Sequence, residues 1–212
     1  MQHMVFPSFW RQLAALTALI TLIGCTTNVK VDGTIPTPLV GAIPAKVGVH
    51  YSDEFKTFTY KEVLRETGTY KIDLGAQNLS FFKNLFQNMF IAAEEVGAPP
   101  LTQKMSTNYD GVLVPKIVKY GFLTPTISGL KFYSASIQYQ ITLYDKSGAV
   151  IGDWNIVGYG KSEGGAFGGD EALNEATMLA IRDGGARIAI ELQQQPQVVA
   201  WLQSLTEQPQ DG

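Results

Sequence analysis

The clearest period in the chain lies at 131–145, where apolar and polar residues alternate strictly. Tyr133, Ala135, Ile137, Tyr139, Ile141 and Leu143 fall on one side, and Ser134, Ser136, Gln138, Gln140 and Thr142 on the other. A period of two predicts a strand with one buried face. Asp145-Lys146-Ser147-Gly148 then predicts a hairpin turn, with Gly148 suited to a positive φ. The partner strand is 149–160, carrying Val150, Trp154 and Ile156. Upstream, "KVGVHYS", "KTFTYKE" and "TGTYKIDLG" are short β-branched and aromatic runs that read as strands. Residues 110–122 make a further strand, whose Pro115 favours an edge or a bulge.

Two stretches carry a helical period instead. Leu79, Phe82, Phe86, Met89, Ala93 and Val96 recur at steps of three and four, widened by Leu85 and Phe90. Gly97 with Pro99-Pro100 stops the run, so a core-facing helix is expected over 79–96. A second helix runs from Asp170, read as its N-cap, to Gln194, and Pro196 starts a short terminal helix through Val199, Trp201 and Leu202. In the second helix Ala172, Ala176, Ala180 and Gly184 lie four apart, a ridge almost without side chains. Gly152, Gly158 and Gly160 alternate on one face of the preceding strand, which lets a helix approach closely or makes room for aromatics. Gly184-Gly185 inside a helix costs about 2 kcal/mol relative to alanine. Either close packing compensates or the helix breaks there. The predicted fold is α+β: a mostly antiparallel sheet, two long helices packed on one face, and a short C-terminal helix.

The glycines around Lys161 also raise the question of a phosphate-binding loop. That motif needs Gly-x4-Gly-Lys-[Ser/Thr] followed at once by a helix, so that backbone N–H groups converge on the anion. The first glycine falls at Asn155, and "EGGAFGG" separates Ser162 from Asp170, whose charge would repel phosphate. Neither a nucleotide nor a nucleic acid is an expected partner, since no basic cluster is present either.

The N-terminus changes the picture most. Arg11 precedes eleven uncharged residues, Gln12 to Leu22, a run too short to span a bilayer but suited to a secretory leader. Leu22-Ile23-Gly24-Cys25 resembles the bacterial lipobox, in which the cysteine is acylated and the leader is cut just before it. An ordinary leader with a stray cysteine is the alternative, but Cys25 is the single cysteine of the chain. Either Met1 or Met4 could start the leader. On the lipobox reading, 1–24 is removed and 188 residues (212 − 24) remain, with a net charge of −4 because Arg11 is the leader's only charged side chain. Residues 25–45, rich in Thr, Pro and Gly, read as a lipidated tether. Residues 46–206 form a single periplasmic domain and 207–212 a tail. Thr26, rather than the aspartate that retains such proteins in the inner membrane, implies the periplasmic face of the outer membrane.

Catalytic chemistry is hard to assemble. His50, on a predicted strand, is the one histidine after the leader, and no cysteine is left once Cys25 is acylated. The carboxylate pairs Asp53-Glu54, Glu94-Glu95 and Asp170-Glu171 are adjacent in sequence and read as solvated surface. No enzyme, cofactor or metal is expected. The uncharged stripe Ser134, Ser136, Gln138, Gln140 and Thr142 is the candidate partner face, because a solvated strand face ordinarily carries lysine or glutamate.

The order of elements together with the lipobox resembles the small periplasmic lipoproteins of the YajG type. It is also similar to the LptE and TolB-N-terminal kind of architecture, with helices on one face of a sheet. The resemblance implies a fold and an address, and no catalytic residue. The expected function is that of a membrane-anchored, non-enzymatic binding or assembly accessory of the envelope, with an envelope protein or a second copy as partner. The alternative is a carrier holding a lipid or small apolar ligand between the sheet and the Phe-rich helix.

Overall fold

Strand propensity and helical stripes sort the chain into alternating layers, seen here in a computed structural model that describes residues 26–34, 41–65, 67–98, 108–164 and 168–207. Among them the strands are β1 (Thr26–Lys30), β2 (Ile43–Val49), β3 (Thr59–Leu64), β4 (Gly68–Asp73), β5 (Phe90–Glu95), β6 (Gly111–Leu123), β7 (Phe132–Asp145) and β8 (Val150–Glu163). The helices are α1 (Asp53–Lys56), α2 (Gly75–Met89), α3 (Pro125–Ser128), α4 (Gly169–Glu191) and α5 (Pro196–Glu207), with a 3-10 turn at Leu192–Gln194.

The strands form two sheets, a larger one in the order β5-β2-β6-β7-β8 and a smaller one in the order β1-β4-β3. Both are mixed, which corrects the expectation of one mostly antiparallel sheet. β2 runs parallel to β5 and β6, and β1 parallel to β4, whereas β6, β7 and β8 form an antiparallel meander and β3 pairs antiparallel with β4. Local patterning shows that a segment is a strand but not which way its neighbour runs.

The meander follows the sequence closely. All six apolar positions predicted on β7 face the core, with Ile137, Tyr139 and Ile141 wholly buried. The hairpin is as expected. Gly148 sits at φ 85, and the Asp145 carboxylate accepts from the Ser147 and Ala149 N–H groups at 2.8 and 3.0 Å. Pro115 lies beyond Leu113, where the pairing of β6 with β2 ends, so its missing N–H leaves no ladder bond unmade on that side. The bulge falls between Ile117 and Lys119 instead.

Close packing of α4 on β8 settles the glycine question. A β-carbon on Gly158 would lie 2.1 Å from the Ala180 carbonyl oxygen, and one on Gly160 2.0 Å from that of Ala176. The helix passes through Gly184-Gly185 unbroken, with Tyr139 against Gly184 and Phe81 against Gly185. Gly152 serves the other purpose, making room for the Trp154 ring. Asp170 is not the N-cap; Gly168 holds that position and Asp170 sits in the first turn.

The Phe-rich helix is shorter than its stripe. It ends at Met89, where Phe90 turns extended at φ −118, ψ 158, and 90–95 becomes β5. Parallel hydrogen bonding to β2 outweighs the helical propensity of "AAEE", and Phe90 stays buried in either period. Phe82 packs edge-on against Phe55, Phe86 and Tyr139 at 4.9–5.5 Å between ring centres. The buried Asn78 accepts a hydrogen bond from the Tyr139 hydroxyl and donates to Leu74 O at 2.9 Å.

Among the described elements, α2, α4, α5 and the smaller sheet pack on one face of the larger sheet. Tyr70 of β4 meets Phe122 of β6 at 5.0 Å between ring centres, and Trp201 of α5 reaches Gly111 at the other end.

Candidate functional site

The residues that resemble a lipobox, Leu22, Ile23, Gly24 and Cys25, lie outside the described residues, but their covalent neighbour does not. Thr26 opens β1, in register with Thr69 of β4, which is itself opposite Val63 of β3. Val29 and Val31 are buried, and the Asp32 N–H donates to Asn174 Oδ1 of α4 at 3.2 Å. The stretch read as a tether is therefore built into the body at 26–32 and again at 43–45, where β2 begins. Its "TNVKV" alternation was the signal available in the sequence. Around Thr26 an open cleft of about 500 Å³ is lined by Asn28, Tyr70, Tyr133, Gly169 and Asp170.

The open face of the larger sheet brings the candidate stripe together with its flanks. Gln138 donates to Asn155 at 3.1 Å, Gln140 to the Asp153 carboxylate at 2.8 Å, and Thr142 to the same carboxylate at 3.3 Å. Lys116 lies opposite Gln140, Lys119 opposite Gln138 and Lys161 opposite Ser134. The neighbouring strands thus add charge to the face, while the β7 stripe itself is uncharged. Ser134 is buried and is not available for contact; Ser136, Gln138, Gln140 and Thr142 are half-buried. Between Asn155 and Lys161 the face carries two exposed apolar side chains, Val157 at 50 % and Tyr159 at 57 %. The Tyr159 N–H, on the free edge of β8, donates to Asp183 of α4 at 3.0 Å, so the close helix also occupies part of an edge open to strand addition.

The remaining chemistry-bearing residues are dispersed. His50 follows β2 rather than lying on it, its Nδ1 3.3 Å from Val96 O. Asp53 and Glu54 occupy the first turn of α1. Glu94 accepts from the Tyr109 hydroxyl at 2.7 Å. Glu95 pairs with Lys83 at 2.7 Å and Lys56 at 2.9 Å, hydrogen bonds that hold its carboxyl below the ordinary range. Of the Gly-Lys-Ser triplet, Gly160 backs onto α4, Lys161 caps the Phe132 ring at 3.9 Å and Ser162 donates to Glu175. Among the described residues no cluster of metal-ligating side chains occurs, and no helix is long and apolar enough to cross a membrane.

The space proposed for an apolar ligand is occupied by protein. Phe81, Phe82, Leu85, Phe86 and Met89 are buried against the core, and the cavity beside Phe86, reaching Val49 and Tyr51, measures about 120 Å³. Ligand pockets ordinarily need about 300 Å³ or more.

No protein-family model matches the chain, and no curated protein matches it. Solved structures do. Protein XCC0632 from Xanthomonas campestris, of the family model DUF330, has a TM-score of 0.51 at 11 % identity, over 87 % of this chain and 99 % of that one. A neuraminyllactose-binding hemagglutinin homolog from Helicobacter pylori gives 0.47 at 12 % identity, over 83 % and 100 %. Rare lipoprotein B from Shewanella oneidensis gives 0.34 at 14 % identity, over 77 % and 99 %. At such identities the likeness is one of architecture, and it is to XCC0632 that this chain is similar in its mixed α+β fold.

Proposed function

We propose that this chain is a bacterial envelope lipoprotein, anchored through Cys25 at the periplasmic face of the outer membrane and acting by contact as a binding or assembly accessory. One observation carries the reading: a stretch that resembles a lipobox, Leu22-Ile23-Gly24-Cys25, abuts the first strand of a folded body. The engagement of Ser162 with Glu175, Glu95 with Lys83 and Lys161 with Phe132 in structural pairs supports a non-enzymatic role. The resemblance to YajG-type proteins and to LptE supports the same address. Tethering raises the effective concentration of the domain near partners in the same membrane.

The open sheet face is the contact surface in this proposal. Its occupant is another envelope protein or a second copy, set against Gln138, Val157 and Tyr159. The double substitution Gln138→Lys/Tyr159→Lys changes one half-buried and one exposed position and is expected to abolish crosslinks to the partner in intact cells, with the amount of protein unchanged. Crosslinks that persist at the wild-type level overturn the assignment of this face. Pull-down of the acylated protein from envelopes identifies the partner.

A further inference from the structure

Resting on the anchor at Cys25, we infer that the Thr26 end of the molecule is itself a lipid-contacting surface, seated in the membrane that holds the acyl chains. The argument starts from chain length. Consecutive Cα atoms are about 3.8 Å apart, and Thr26 is already in β1, so acyl chains on Cys25 leave no slack between bilayer and body. Whatever shares this end then sits at headgroup depth.

Beside the polar cleft around Thr26, this end also carries exposed apolar side chains. Val63, in the same row of the smaller sheet as Thr26, is 71 % exposed. Tyr70, two residues beyond Gly68, packs on Phe122, which places the β6–β7 connection at the same end. Along that connection Leu123 is 44 % exposed, Ile127 44 % and Leu130 49 %, and α3 contributes no buried residue at all. The turn is nonetheless firmly built. Ser128 and Gly129 N–H groups donate to Thr124 O and Pro125 O at 3.0 and 2.9 Å, Leu130 N–H donates to Ser128 Oγ at 3.2 Å, and Gly129 adopts φ 68. A rigid turn that presents Ile127 and Leu130 to solvent, beside the attachment point of a lipid, matches the requirements of an interfacial anchor: apolar side chains inserted at the acyl boundary with little ordering cost. Exposed Arg65 and Lys131 flank these residues, but so do Glu163 and Asp170, so insertion rather than charge is the attraction. Lipidation and this end together would fix the orientation of the domain, holding the β7–β8 hairpin and α5 away from the bilayer.

The test uses the acylated protein in vesicles of phosphatidylethanolamine and phosphatidylglycerol with brominated acyl chains. An indole introduced by Ile127→Trp is expected to lose most of its emission, while one introduced by Lys146→Trp at the far hairpin, like native Trp154 and Trp201, keeps it. Circular dichroism checks that both variants fold. If the protein floats with the vesicles but the Ile127→Trp indole is no more quenched than the Lys146→Trp indole, the lipid-facing end is wrong and the anchor stands. If the protein neither floats nor carries acyl chains on its N-terminal peptide, the anchor fails and this surface with it.

Discussion

Replacing Gly160 by valine is expected to cost about 4 kcal/mol of folding stability, enough to leave most domains of this size barely folded. The first side-chain carbon alone would sit 2.0 Å from Ala176 O and 2.5 Å from Ala180 N, which are backbone atoms of α4. Backbone in the middle of a 23-residue helix cannot step aside locally, so the whole helix must lift. Lifting it separates Gly158 from Gly184 and opens a void beside Ala176 and Ala180, residues with nothing to fill it. Overpacking and cavity formation thus act together. Urea unfolding of the purified variant measures the loss. Gly97→Ala is the control, since nothing lies within 4 Å of its β-carbon position, and a change within about 0.5 kcal/mol is expected there. A Gly160→Val protein as stable as the control would show that α4 does not rest on β8 as described.

Val29→Asp is expected to release β1. Val29 is 2 % exposed, on the core-facing side of the smaller sheet among apolar neighbours, where a carboxylate would be desolvated. Burying it costs several kcal/mol, more than an edge strand of five residues returns, so the strand detaches instead and the larger sheet stays folded. Limited proteolysis should then cut within 26–34 while the rest of the chain resists. In acylated protein the freed residues become a true tether, and the quenching expected at the β6–β7 turn should fall to background. A Val29→Asp protein that resists protease at 26–34 would mean that β1 is not held through this side chain.

The elements legible in the sequence were those whose pattern has one reading. The alternation on β7, the Asp145–Gly148 turn and the matched small residues of β8 and α4 all specify local geometry, and each was found where expected. β5 was hidden because Met89, Ala93 and Val96 satisfy a helical stripe equally well, and only the hydrogen-bonding partner β2, 46 or 47 residues earlier, decides against it. β1 was hidden by its setting among Thr, Pro and Gly, and by a parallel partner beyond Thr69. The same limit applied to the surfaces. The polar stripe of β7 was visible, but its charged neighbours Lys116, Lys119 and Asp153 arrive through strand register, which no single sequence states. Exposure of Ile127 and Leu130 was not legible either, since single exposed hydrophobes are ordinary on a folded surface and nothing local marks which they are.

The measurement that bears most directly on the account is the mass of the N-terminal peptide from protein extracted out of bacterial envelopes. The account predicts a peptide that begins at Cys25 and carries a diacylglyceryl thioether together with an amide-linked acyl chain. A peptide that runs through Gly24-Cys25 uncut, or begins at Cys25 with a free thiol, would contradict it.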